Sequence, residues 1–270
     1  MRRIWRSTSH KSCKAWLGGC FLGVFVFASG IPDHAAAAQF GTRCQEAFED
    51  GWQDTQPWAW ETCSRFNSEL DDTDTKDFYY NLKFPHCGFD SCDDQGSAGG
   101  VDSVDLFYVH THGGVSGDNA ILAMWDDGDM SWSSNWRFGD DDDEVAIFSQ
   151  YACETLSKTG GGLWTRLGPA FRGGLYVATG SYDKIYSSIT TDEVGEDYAD
   201  GLQKRKSVKN AWFDGNSDWW TDQDLRVMAT GVSSRNCRNR RNRIKWHNVF
   251  DYTRRRDSSI THYCTSSIEG

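Results

Sequence analysis

The sequence predicts an α/β protein, a three-layer sandwich around a mostly parallel central sheet. Two near-continuous apolar runs are the first observation: Val104-Asp105-Leu106-Phe107-Tyr108-Val109-His110 and Val145-Ala146-Ile147-Phe148-Ser149-Gln150-Tyr151. Strands buried on both faces read in this way, without polar alternation. The second observation is that further apolar runs alternate with segments of helical spacing, the pattern of strands covered by crossover helices. The third is that both runs end in chemically reactive residues. The first exits through His112-Gly113-Gly114 and the second through Cys153-Glu154. Groups at the carboxyl ends of neighbouring parallel strands converge on one crevice.

Taken in order, residues 1–38 have the plan of a secretory signal. Arg2, Arg3 and Arg6 open it, Phe21 to Phe27 form an apolar core, and Ala36-Ala37-Ala38 precede Gln39. The apolar core is too short and glycine-broken for a membrane span. The expected organisation is therefore a signal at 1–38 and a single domain at 39–270, ending in a basic segment from about residue 232. Pro57 to Leu70 reads as the first helix, with Trp58, Phe66 and Leu70 on its apolar side. Asp71 to Asp77 is an acidic turn, Asp77 to Phe84 a strand, and Cys87 to Gly100 a Gly- and Asp-rich loop. Between the two reactive strands, Ile121 to Trp125 reads as a short strand. After Cys153 come a Trp164 to Phe171 segment and a Gly174 to Gly180 strand. Asp192 to Gln203 and Ser207 to Asp214 carry helical spacing, with Val194, Tyr198 and Leu202 at four-residue intervals. Leu225 to Thr230 and Trp246 to Tyr252 read as closing strands.

Charge and cysteine content bound the function. The chain has 28 basic and 39 acidic residues, net −11. Residues 1–38 hold five Lys/Arg and one Asp, so their removal leaves 232 residues with 23 basic against 38 acidic, net −15. Such a surface repels nucleic acid and anionic membranes, and neither is an expected partner. Arg235 to Arg256 runs against this balance, with nine Lys/Arg and only Asp251. It reads either as a surface for an acidic partner or as a fold-closing segment that complements the acidic tracts, and the second reading is the commoner outcome. Seven cysteines follow residue 38, an odd number in a chain destined for a secreted or periplasmic, oxidising location. Pairing sequence neighbours gives Cys44–Cys63, Cys87–Cys92 and Cys237–Cys264, and leaves Cys153 free. Six cysteines permit fifteen arrangements, so spacing alone does not fix this one.

Singly, a cysteine after a strand usually serves packing, and a histidine there is usually structural. Together, at the carboxyl ends of two strands, His112 and Cys153 read as a catalytic pair. Two alternatives stand beside it. One is an exported binding module without catalysis. The other is a zinc site in which His110 and His112, at i and i+2, gain a third ligand from Asp105, Asp118 or His247. No His-Glu-x-x-His motif is present. Asp126-Asp127-Gly128-Asp129 and Asp140-Asp141-Asp142-Asp143-Glu144 offer oxygen ligands for calcium but lack EF-hand spacing, and no other cofactor is expected.

A strand ending in His-Gly followed by one ending in Ala-Cys resembles the caspase, legumain and gingipain superfamily of cysteine peptidases. The matching residues are Val109-His110-Thr111-His112-Gly113 and Gln150-Tyr151-Ala152-Cys153-Glu154, and the Ala-Cys-Glu part is most similar to legumain. From about Phe40 to Gly231 the chain is similar to a bacterial family with this core. Its shared features include Val101 to Asp105, Trp164 to Phe171 and Ala211-Trp212-Phe213. The resemblance implies a caspase-like fold and a hydrolase acting on a peptide or protein substrate, through a dyad with His112 as base and acid and Cys153 as nucleophile. It also implies an oxyanion hole made by the N–H groups of Gly113 and Cys153. Tyr151 departs from the pattern, standing where these peptidases carry a polar or acidic residue.

Overall fold

A computed structural model describes residues 38–45, 58–71, 101, 104–123, 130–139, 145–158, 162–187, 191–217, 223–251 and 259–269. In chain order the regular elements are β1 (Phe40–Cys44), α1 (Ala59–Asp71), β2 (Leu106–His110), β3 (Gly113–Ser116), β4 (Asn119–Ala123) and β5 (Met130–Trp132). They continue with β6 (Ile147–Tyr151), α2 (Leu163–Phe171), β7 (Val177–Ser181), α3 (Val194–Gln203), α4 (Val208–Asn216), β8 (Leu225–Gly231), α5 (Ser234–Arg243) and β9 (His262–Ile268). A six-stranded sheet has the order β1-β2-β6-β7-β8-β9, and a three-stranded sheet has the order β3-β4-β5. β1, β2, β6 and β7 pair in parallel, whereas β8 and β9 are antiparallel additions. The expected α/β sandwich is the observed architecture.

The sheet is buried on both sides because β2, β6 and β7 are buried at every position. Alternate side chains feed two apolar clusters. Leu106, Tyr108, Ile147 and Val177 join Phe66 of α1, Tyr198 of α3 and Trp212 of α4. Phe107, Val109, Phe148 and Ala178 join Leu167 and Phe171 of α2 on the other face. The four-residue spacing seen in sequence is what buries Val194, Tyr198 and Leu202 together. Phe66 stacks on Tyr108 at 4.6 Å between ring centres, fixing α1 on β2. Arg65 on the same helix holds Asp192 at 2.9 Å and Glu196 at 3.0 Å, tying α1 to the start of α3. Ser207 and Ser233 accept from the N–H of Asn210 and Asn236, so α4 and α5 begin at genuine N-caps.

Several expectations need correction. Trp246 to Tyr252 is not a strand, since Trp246–Asp251 forms 3-10 turns. Trp246 and Val249 are buried three residues apart, a helical spacing that their aromatic and β-branched composition concealed. The closing strand is instead β9, a polar edge. Arg235 to Arg243 is helical, with only Cys237 and Arg240 buried, so it offers no apolar period to detect. Arg240 packs over the Tyr176 ring at 4.7 Å, which gives the basic segment a fold-closing contact. The Asp77 to Phe84 strand, Cys87–Cys92 and both acidic tracts lie outside the described residues. Cys44–Cys63 and Cys237–Cys264 are disulfides, and Cys153 is free. The disulfides point to an oxidising extracellular or periplasmic location. No helix among the described residues is long and apolar enough to cross a membrane.

Candidate active site

β2 and β6 are neighbours in register, with Leu106 opposite Ile147 and His110 opposite Tyr151. The N–H of Thr111 donates to the Tyr151 carbonyl at 3.3 Å, carrying the pairing one residue further. Two residues past each strand stand His112 and Cys153, so the two reactive exits leave the same end of the sheet side by side. Gly113 seals that junction. A Cβ there would lie 2.5 Å from the Cys153 carbonyl oxygen, 2.8 Å from Ala152 Cβ and 2.9 Å from the Cys153 nitrogen. Only a residue without a side chain lets the backbone after His112 close onto the backbone of Cys153.

Beyond Cys153 the chain turns sharply, and Glu154 takes a left-handed conformation with φ 55°. Such a conformation costs a non-glycine residue about 1–2 kcal/mol. The turn is held by Glu154 N–H on the Asp183 carbonyl at 2.9 Å and Leu156 N–H on the Ser181 carbonyl at 2.8 Å. The residues after β7 thus form a third wall. Ile185 supplies the sulfur's partners: its N–H donates to Cys153 Sγ at 3.3 Å, and the thiol lies 3.5 Å from its carbonyl. Burial pushes the Cys153 thiol up. The Ile185 hydrogen bond and Lys184 oppose that rise, while Glu154 and Asp183 add to it. The resting group is therefore a thiol, and a base must take its proton before it can attack.

Sequence reasoning did not find Ile185. The available signal was topological: β7 is the next parallel strand, so its exit opens on the same crevice. Tyr151 is buried, and its hydroxyl donates to the Tyr186 carbonyl at 3.0 Å and accepts from Gln223 Nε2 at 2.9 Å. It ties β6 to the residues beside the thiol, which gives Tyr151 a structural role.

His110 is buried, with its ring edge against Tyr151 at 4.6 Å between centres and neither ring nitrogen hydrogen-bonded. Burial first, and then the neighbouring His112, lower its pKa to about 3. The proposed third zinc ligands are scattered. Asp105 precedes β2, at the opposite end of the strand from His112, and accepts from Gln39 N–H at 2.9 Å. His247 lies against the Gln203 carbonyl at 3.3 Å, and Asp118 sits in the β3–β4 turn. No group of three His, Cys, Asp or Glu side chains able to hold a metal occurs among the described residues.

The family described as a domain of unknown function, DUF6345, matches residues 53–266, and the chain belongs to it. The match spans both reactive exits and the strands that carry them. No curated protein matches the chain.

Proposed function

We propose that the protein is an exported cysteine hydrolase of caspase and legumain type, cleaving peptide bonds through Cys153 and His112. The observation that carries this reading is the closure of Gly113 onto Cys153, which brings a histidine, a free thiol and two backbone N–H groups to one end of the sheet. His112 takes the thiol proton, and the sulfur attacks the substrate carbonyl carbon. The N–H groups of Gly113 and Cys153 hold the oxygen that becomes negative. His112 then protonates the departing amine as the C–N bond breaks, leaving a thioester on Cys153. Water activated by the same imidazole adds to the thioester, and its collapse returns the thiol and frees the acid. Glu154 and Leu156 have their N–H groups committed to carbonyls, while the Cys153 N–H between β6 and that turn has no such acceptor among the described residues.

One observation favours a second reading, an exported binding module. The sulfur is held by both backbone groups of Ile185, and burial favours the protonated form, an arrangement that also suits an inert thiol. Covalent labelling with iodoacetamide and turnover of a randomised peptide pool separate the two. Cys153→Ala is expected to abolish both, and His112→Ala to reduce both steeply in a folded protein. His110→Ala, by contrast, retains turnover. Cleavage by Cys153→Ala that chelator removes and His110→Ala loses would replace the dyad with a metal site, and a wild-type protein without turnover would favour the binding module.

A further inference from the structure

Cations on the α1 side of the sheet are used in two ways. Arg65 of α1 holds Asp192 at 2.9 Å, while Lys204 and Lys206, between α3 and α4, hold Asp200 at 2.7 Å and Asp214 at 2.8 Å. α5 packs against α4, β8 and β9, and five of its ten residues are arginine with no carboxylate among them. Arg240 turns inward onto Tyr176. Arg235, Arg238 and Arg243 are exposed, and among the described residues no ion pair reaches them or Arg241. Burial first, and then the neighbouring Arg238, hold Arg241 below its ordinary pKa, the second cause being two cations crowded together. The sequence repeats Arg-Asn at 235–236, 238–239 and 241–242. Residues three apart are neighbours on a helix surface, about 5–6 Å between Cβ atoms. The arginines therefore form one row and the asparagines a second beside it, over about 12 Å from Arg235 to Arg243. Asn236 is engaged by the Val232 N–H, whereas Asn239 and Asn242 are exposed. Asn242 accepts from Arg241 Nε at 3.1 Å, which leaves its amide N–H groups to donate.

We infer that the outward face of α5 binds an anionic polysaccharide, with its sulfate or phosphate groups on Arg235, Arg238 and Arg243 and its hydroxyls on Asn239 and Asn242. Charge complementarity selects an anion, and the arginine fork matches the oxygens of sulfate and phosphate. Short basic runs serve heparin-like polymers and nucleic acids alike. The residues between the arginines decide between these classes. Every exposed residue of α5 is Ser, Arg or Asn, so the face offers no ring for stacking bases and no apolar group for a bilayer. Neighbouring charge decides the width of the ligand. Beyond α4, α3 gathers Glu193, Glu196, Asp197 and Asp200. A broad anionic surface laid on this layer meets those carboxylates as well, whereas a single narrow chain along α5 meets only cations. The net charge of −11 is screened beyond about 8 Å in physiological salt, so the local row governs contact. Such a site holds an exported protein on a surface polymer, and it stands independently of the chemistry at Cys153.

Two measurements on the full chain test this. In the first, binding of fluorescein-labelled dextran sulfate is followed by anisotropy at a series of salt concentrations, and affinity should fall steeply as salt rises. The triple variant Arg235→Gln, Arg238→Gln, Arg243→Gln should bind at least about tenfold more weakly, the loss of charge-assisted hydrogen bonds, with an unchanged urea midpoint. Asn239→Ala with Asn242→Ala should weaken dextran sulfate about threefold and leave binding of inorganic polyphosphate, which has no hydroxyls, as it was. The second measurement uses wild-type protein alone. Phenylglyoxal modification of arginines, mapped by mass, should be slowed by dextran sulfate at Arg235, Arg238 and Arg243. Arg172, exposed at the end of α2 on the other face of the sheet, should react as before. Binding unchanged in the triple variant, or protection at Arg172 equal to that on α5, overturns the site. Tighter binding of a single-stranded oligonucleotide or of phosphatidylglycerol vesicles than of dextran sulfate overturns the polysaccharide as its occupant. An equal loss of polyphosphate binding in the asparagine variant overturns the reading of hydroxyls.

Discussion

The parallel half of the main sheet, β1-β2-β6-β7, and its antiparallel edge, β8-β9, are built for different ends. β2, β6 and β7 are buried along their whole length, and their exits gather His112, Cys153 and Ile185 at one end. β9 is largely exposed or half-buried and carries no part of the candidate site. It is held by the Cys237–Cys264 disulfide and by Arg241 donating to the Thr265 carbonyl. The difference teaches that parallel order concentrates reactive groups because every exit shares a direction, whereas the antiparallel edge supplies only closure. Changes in the first half should therefore reach chemistry, and changes in the second should reach stability alone.

Two glycines give the sharpest test. A Cβ on Gly113 would strike Cys153 backbone, and a Cβ on Gly231 would lie 2.6 Å from Asn236 Oδ1 and from Cys237 N. Both alanine variants overpack by similar amounts and should lose about 1–3 kcal/mol in urea unfolding. Gly113→Ala should in addition reduce turnover by about a hundredfold, the usual effect of spoiling one oxyanion donor. Gly231→Ala should keep the kcat of wild type. Equal effects of the two on turnover would break the comparison.

Acid is the next lever. His110, in the parallel half, has a folded pKa of about 3 against an unfolded value near 6.5. The unfolded chain therefore binds more protons between those values. His110 leaves stability undiminished above about pH 6.5 and costs about 1.4 kcal/mol for each unit that pH falls towards 3. His110→Leu should be near neutral at pH 7, because a buried imidazole without hydrogen bonds is exchanged for an apolar group. It should also flatten the acid limb of stability measured by urea unfolding at a series of pH values. An unchanged limb would mean that other groups drive acid unfolding.

The disulfides come third. Cys237–Cys264 closes a separation of 27 residues, worth about 3.5 kcal/mol by chain entropy. Its double alanine variant should unfold at lower urea while Cys153 labels at the wild-type rate. Cys44–Cys63 closes 19 residues, and Cys44 sits opposite His110 in the sheet. Its loss should therefore change both stability and labelling.

The same contrast explains what could be read in advance. β2 and β6 were legible because residues buried on two faces leave no room for polar alternation, and their abrupt ends exposed His112 and Cys153. β9 reads His-Tyr-Cys-Thr-Ser-Ser-Ile, a polar edge whose partner lies across β8, and no local period announces it. α5 has two buried residues and an arginine-rich surface, so its helix follows from the Ser233 cap and the disulfide and not from an apolar face. β1 was missed because Phe40-Gly41-Thr42-Arg43-Cys44 mixes residue types, yet all but its last residue are buried. Ile185 was hidden for another reason. Its contribution to the site comes through backbone atoms, which residue identity does not encode.

The smallest expected effect concerns the thiol itself. Burial is the largest cause of its raised pKa, so no single charge should restore an ordinary value. Within that limit the signs are fixed: Glu154 and Asp183 raise the thiol, and Lys184 and the Ile185 hydrogen bond lower it. Glu154→Gln keeps the side-chain size and the left-handed backbone while removing the carboxylate with the larger influence, so the midpoint of alkylation against pH should move down. Lys184→Gln should move it up. Only the thiolate reacts, so the alkylation rate reports the midpoint directly. A matching variant on α5, the helix packed against the antiparallel edge, such as Arg243→Gln, should leave the profile where it was. A shift from Arg243→Gln equal to that from Lys184→Gln would mean that the field at Cys153 is set by the whole surface, and the separation of the two halves would fail at its finest scale.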